Sequence, residues 1–155
     1  PGDVRALLTQ DAARAGARDL RRFLRRIDRS DNRIVLLGHS YGSLVSALAA
    51  RRNDHLDRLV VIGSPGLGVD RAEQLHLPPR VELVAGADAL DPVARSGWFG
   101  TPPTRPRFGA RVIDLTDPRP GDLAHRVASA HSGYFEAGSP MLADLAAALT
   151  ISAGR

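Results

Sequence analysis

The chain has 155 residues, 43% apolar and 25% charged, which fits a single domain, residues 1–155, with a sizeable core. It contains no cysteine, which excludes disulfides, thiol catalysis and cysteine-based zinc sites, and it has no apolar run long enough for a membrane-spanning helix. The net charge is +4 and all 21 basic residues are arginine; beside abundant Ala, Gly and Pro, that bias reflects a GC-rich genome more than a function.

Residues Asp11 to Arg29 predict a helix, because Leu20, Phe23, Leu24 and Ile27 repeat at i, i+3, i+4 and i+7 and form one apolar stripe. Ser30-Asp31-Asn32 ends it. Arg14, Arg18, Arg21, Arg22, Arg25, Arg26 and Arg29 occupy its other faces, which by default are solvated. Arg33 to Leu37, RIVLL, reads as a strand buried on both faces, as in a parallel sheet. Gly42 to Arg52 predicts a second helix with Leu44, Val45, Leu48 and Ala49 inward. Arg58 to Ile62, Val81 to Ala85 and Arg111 to Leu115 are three more apolar strand candidates. Between the last two, Gly97 to Gly109 carries Pro102, Pro103 and Pro106 and reads as a lid-like loop excursion. Asp122 to Ala130 is helical in pattern, and Asp144 to Leu149 falls in a closing helix. Strands alternating with helical stretches define an α/β class: about four parallel strands with crossover helices.

The chemistry concentrates in RIVLLGHSYGSLVSALAA. An apolar strand runs directly into Gly38-His39-Ser40-Tyr41-Gly42, and a helix follows at once. A Gly-x-Ser-x-Gly turn in that context is tight, its glycines leave space around the serine, and the helix N-terminus favours developing negative charge. Ser40 is the candidate nucleophile, and the backbone N–H of Tyr41 is a candidate oxyanion donor. A serine hydroxyl needs a base and an orienting acid, expected in the order Ser, Asp or Glu, His. Asp88 and Asp91 follow the third strand in AGADALDPVA, and His131 follows the fourth. Asp91, anchored by Pro92-Val93, is favoured as the acid, with Asp88 as the alternative and the loser a turn residue. His131, at a helix end, is favoured over His125 inside the helix. His39 is expected to point away from Ser40, and His55 and His76 come too early in chain order.

GHSYGS, VVIGSPGLGVD, DPVA, FGARV and HSGYF, spanning about Ala15 to Phe135, together resemble a bacterial subfamily of alpha/beta-hydrolases of largely unassigned substrate. The resemblance implies the alpha/beta-hydrolase fold and a Ser40, Asp91, His131 triad, and it supplies no substrate. Such hydrolases carry several strands before the nucleophile strand, and a loop there gives the second oxyanion donor. Here only 32 residues precede Arg33. The expectation is therefore the C-terminal part of a longer hydrolase, with RIVLL as an uncovered edge strand.

These readings predict a serine hydrolase cleaving an acyl bond of a small molecule, a carboxylic ester first, with no cofactor and no metal. The alternative is a non-catalytic binding module on the same fold. Nucleic-acid binding through the arginine helix is not expected, since no aromatic residues interleave with the arginines. The glycine-rich Gly63-Ser64-Pro65-Gly66-Leu67-Gly68 lacks the lysine of a phosphate-binding loop and reads as a tight turn. Trp98, Phe99 and Phe108 either line an acyl pocket or pack the loop onto the body.

Overall fold

The computed structural model describes residues 9–27 and 33–150. A four-stranded parallel sheet forms its centre, in the order β1 (Val35–His39), β2 (Arg58–Ile62), β3 (Glu82–Ala87), β4 (Arg111–Asp114). Around it lie α1 (Gln10–Leu24), α2 (Tyr41–Ala50), α3 (Leu123–Ser129) and α4 (Pro140–Leu149), with short 3-10 turns at Ala72–Leu75, Pro106–Phe108 and Gly133–Phe135. Parallel neighbours need crossovers, and residues that pair in register leave all four C-terminal strand ends on one edge.

Both faces of the sheet are covered, as the near-continuous apolar strands require. On one face Leu59, Val61, Leu83 and Ala85 pack with Ala47 and Ala50 of α2, Leu24 of α1 and Phe108. On the other, Val60, Ile62 and Val84 pack with Leu115, Tyr134 and Met141, Leu145 and Ala148 of α4.

Four details differ from the sequence expectation. β1 begins two residues later than Arg33 and continues through Gly38 and His39, which pair with Val61 and Ile62. Asp57 Oδ2 takes the Ile34 N–H at 2.8 Å and replaces the ladder there. Likewise β3 runs on to Gly86 and Ala87. Phe23 is exposed rather than inward. The buried face of α1 is Ala13, Ala17 and Leu24, with Leu20 and Ile27 beside the core, so small residues bring α1 close to α2 and leave the bulky ring outside. The helix stop at Ser30-Asp31-Asn32, and Arg29 before it, lie outside the described residues. Arg21 is not simply solvated: its guanidinium donates to the Leu48 carbonyl at 2.6 Å and the Ala49 carbonyl at 3.4 Å, capping the C-terminus of α2.

The excursion after β3 packs on the glycine-rich turn after β2. Phe99 N–H donates to the Pro65 carbonyl at 3.0 Å, and Gly68 N–H donates to the Phe99 carbonyl at 2.6 Å. A side chain at Gly66 (φ +120°) would strike the Phe99 backbone. Thr101 hydrogen-bonds Asp70 through both N–H and hydroxyl. Phe108 is buried in the core, Phe99 lies 5.8 Å from the Tyr41 ring, and Trp98 is half exposed.

Candidate active site

Ser40 sits between β1 and α2 with φ 55° and ψ −133°. A non-glycine residue in that region is strained and persists only where its surroundings hold it. Ser40 N–H donates to the Ile62 carbonyl at 3.0 Å, which ties the turn to β2. Gly38 supplies the space: a Cβ there would lie 2.8 Å from Ser43 Cα and 2.9 Å from the Gly42 carbonyl oxygen. Gly42 differs from the expectation, because a Cβ at that position meets nothing within 4 Å. Only the first glycine of the motif is required by crowding. Tyr41 opens α2, so its backbone N–H is among the four that a helix N-terminus leaves without an intrahelical partner.

Two loops at the C-terminal sheet edge, after β3 and after β4, bring the remaining groups to Ser40. His131 Nε2 lies 2.8 Å from Ser40 Oγ. His131 Nδ1 lies 2.9 Å from Asp91 Oδ2 and 3.1 Å from Oδ1. The ring that meets Ser40 belongs to His131; His125 lies within α3, where its N–H is capped by Asp122. Asp88 is turned elsewhere: Oδ1 accepts from Leu90 N–H at 2.7 Å and Oδ2 from Asp117 N–H at 3.1 Å. It braces the two loops that leave β3 and β4.

Asp91 is fully buried, and its carboxylate is thoroughly paired. Besides His131, Oδ1 accepts from Val93 N–H at 2.8 Å and Ala94 N–H at 3.1 Å, and Oδ2 accepts from the Tyr134 hydroxyl at 2.7 Å. Burial alone would raise its pKa; hydrogen bonds from His131, Tyr134 and Ala94 outweigh burial and hold the carboxyl below the ordinary 3.8. Asp91 is therefore ionised at neutral pH, the state that can hold an Nδ1–H imidazole and leave Nε2 free to accept a proton. The Tyr134 hydroxyl also accepts from Asp88 N–H at 3.0 Å. Burial first, then the Asp91 carboxylate, push its pKa far above that of a free phenol, so it stays a donor.

Sequence reasoning missed two residues. Tyr134 was visible only as part of HSGYF, and nothing in its spacing points to Asp91, 43 positions away. His39 does not point clear of the site as expected. Its ring centroid lies 4.9 Å from that of His131, and Nε2 lies 2.9 Å from the His131 carbonyl oxygen. The elbow turn carries Ser40 over the sheet edge and leaves His39 beneath the loop that bears His131.

A serine on a strained strand-to-helix turn, served by loops from a parallel sheet, defines a recognisable class. The sequence profile of a family described as alpha/beta hydrolase matches residues 1–100, and the chain belongs to that family. Relatives include an uncharacterized protein of Mycobacterium bovis and two from strains of Mycobacterium tuberculosis. Each is 35% identical over 83 residues, covering 51% of this chain and 31% of the relative. The chain thus aligns with about a third of the length of those proteins. No solved structure matches. Among the described residues, no helix is long and apolar enough to cross a membrane.

Proposed function

We propose that the chain is the catalytic part of a serine hydrolase that cleaves an acyl bond, a carboxylic ester, in a small molecule through Ser40, His131 and Asp91. The observation that carries this reading is the continuous run from Ser40 Oγ to His131 Nε2 at 2.8 Å and from His131 Nδ1 to Asp91 Oδ2 at 2.9 Å. These lie within the range at which a base can take a hydroxyl proton.

In the proposed reaction, Ser40 Oγ attacks the acyl carbonyl carbon while its proton moves to His131 Nε2. Asp91 holds Nδ1–H and stabilises the imidazolium that forms. The carbonyl oxygen becomes an oxyanion, met by the Tyr41 N–H and the positive end of α2. Collapse breaks the bond to the alcohol oxygen, which leaves with the His131 proton. Water then attacks the acyl-Ser40 ester, gives its proton to His131 and releases the acid, and the proton returns to Ser40. No cofactor or metal ion takes part in this scheme.

The test uses a fluorophosphonate probe and p-nitrophenyl acetate. Wild type is expected to label covalently on Ser40, and Ser40→Ala to lose both labelling and turnover. Asp91→Asn is expected to fold but lose on the order of 10,000-fold in turnover through the wrong imidazole tautomer. Labelling that survives Ser40→Ala removes the assignment.

A further inference from the structure

His39 stands immediately before Ser40 and is the last residue of β1. Its Nε2 lies 2.9 Å from the His131 backbone carbonyl oxygen, a bond that spans 92 positions of sequence. A carbonyl oxygen only accepts, so Nε2 of His39 must carry the proton. The same ring meets three rings of the segment that follows. Its centroid is 4.9 Å from His131, 5.5 Å from Tyr134 in an edge-on contact, and 5.6 Å from Phe135 in another. Gly63 leaves the room for this, since a Cβ there would lie 3.2 Å from His39 Cδ2.

The segment bearing His131 is also held from its flanks, by buried Ala130 just before it and by Tyr134 three residues after it. It emerges from α3, a helix with no buried residue. After His131 the next buried side chain is Tyr134. The His131 side chain, held by Ser40 and Asp91, is fixed from the ring outward; its main chain is fixed by His39.

We propose that His39 is a positioning residue for the acyl-transfer reaction, its Nε2–H and ring seating the main chain of the 131–135 segment so that His131 stays aligned with Ser40 Oγ. This role rests on the Ser40–His131–Asp91 reading. It also requires a neutral ring, because His131 becomes positively charged during the reaction at 4.9 Å. Among the described residues, the charged or titratable groups that face His39 are His131, Asp91 and Tyr134. Burial, first among the causes, lowers the His39 pKa below its ordinary 6.5 and, with the charge of His131, outweighs the hydrogen bond to the His131 carbonyl and the Asp91 charge, which act the other way.

Three variants and one spectrum test the proposal. His39→Phe keeps a ring and removes the donor, His39→Leu removes both, and His39→Gln places an amide N–H where Nε2–H was. Fluorophosphonate labelling gives two numbers for each: the fraction of chains that label and the rate constant of those that do. A purely structural role lowers the fraction, whereas misalignment lowers the rate constant. The expected result is a rate constant at least about 10-fold lower for His39→Phe and His39→Leu, with most of it regained in His39→Gln, since sub-ångström to ångström displacement of a reacting group costs rates of this order. The turnover number for p-nitrophenyl acetate is expected to fall with KM unchanged. Long-range 1H–15N correlation on wild type, which needs neither turnover nor a variant that folds, is expected to show His39 as the Nε2–H tautomer. An Nδ1–H tautomer overturns the proposal, as does wild-type labelling by folded His39→Phe, or a His39→Gln chain no faster than His39→Phe. A wild-type chain that labels no faster than Ser40→Ala sinks the triad reading itself, and this role with it.

Discussion

A methyl group added at Gly38 would lie 2.8 Å from Ser43 Cα and 2.8 Å from Ser46 Oγ, both on α2. One added at Gly42 meets nothing. The motif is symmetrical in sequence and unsymmetrical in physics. Gly38→Ala is expected to cost about 3 kcal/mol or more, because backbone atoms in a packed turn cannot step aside. Gly42→Ala, inside α2, is expected to hold stability or raise it by up to about 1 kcal/mol, since alanine is the better helix former. Urea denaturation of both variants checks the pair, and equal losses would contradict it. Tyr134→Phe separates two effects of one hydroxyl. It leaves Asp88 N–H unpaired in the interior, which is expected to cost roughly 1–3 kcal/mol. It also removes a bond that lowers the Asp91 pKa, so in urea denaturation the acid loss of stability should set in at higher pH. An unmoved acid loss would mean that Tyr134 serves packing alone. That Ser40, Asp91 and His131 would meet was legible because each follows a strand and so hangs from the C-terminal edge of a parallel sheet. Tyr134 and His39 were not, because their partners are reached through tertiary contacts with no local period.

Elements were legible wherever apolar content and β-branching agreed, as in RLVVI, which forms β2 at the expected residues. They blurred where glycine sits in a strand. The expected strands stop at Leu37 and Ala85, yet the glycines that follow, Gly38 and Gly86, both pair with β2, and each lies where a side chain would collide with its neighbours. Arginine was the other blind spot, because a pattern of charges does not say which guanidinium is used. Arg58 at the start of β2 reaches three ways. It pairs with Glu82 of β3 at 2.6 Å, and its Nη1 donates to the Ala148 and Thr150 carbonyls at 2.6 and 2.9 Å. Glu82 in turn meets Arg111 of β4. Arg58 thereby fastens the C-terminus of α4 to the sheet with its own side chain largely buried. Arg58→Met is expected to lose about 1–3 kcal/mol, the cost of uncapped carbonyls and a carboxylate left with one partner. Arg14→Met, which removes an exposed pair with Asp11, should change stability by no more than about 0.5 kcal/mol. Denaturation midpoints of the two variants decide whether arginines in this chain differ by burial as argued.

At the scale of the whole molecule, the titrating groups of the site make stability depend on pH in one direction. His39 has a folded pKa below its ordinary 6.5, so the unfolded chain takes up its proton first as pH falls. Stability from this group is complete above that value and declines as pH drops through about 6.5 toward the folded value. Asp91 has a folded pKa below its ordinary 3.8, so its contribution is complete above that value and is lost as pH falls further, through the folded pKa. Glu82, lowered by Arg111 and Arg58 against the opposing effect of burial, acts in the same sense. Both stages carry the same sign, so the unfolding midpoint is expected to fall without reversal from pH 8 to pH 3, first gently and then steeply. His39→Gln removes the first stage and keeps the second; its curve should run flatter between pH 7 and pH 5 and converge with the wild-type slope in acid. Asp91→Asn should weaken the acid stage and leave the first in place. Urea denaturation of the three chains at fixed ionic strength measures this. A wild-type chain that gains stability between pH 7 and pH 5, or a His39→Gln curve parallel to it there, would mean that His39 is not held neutral beneath the His131 loop.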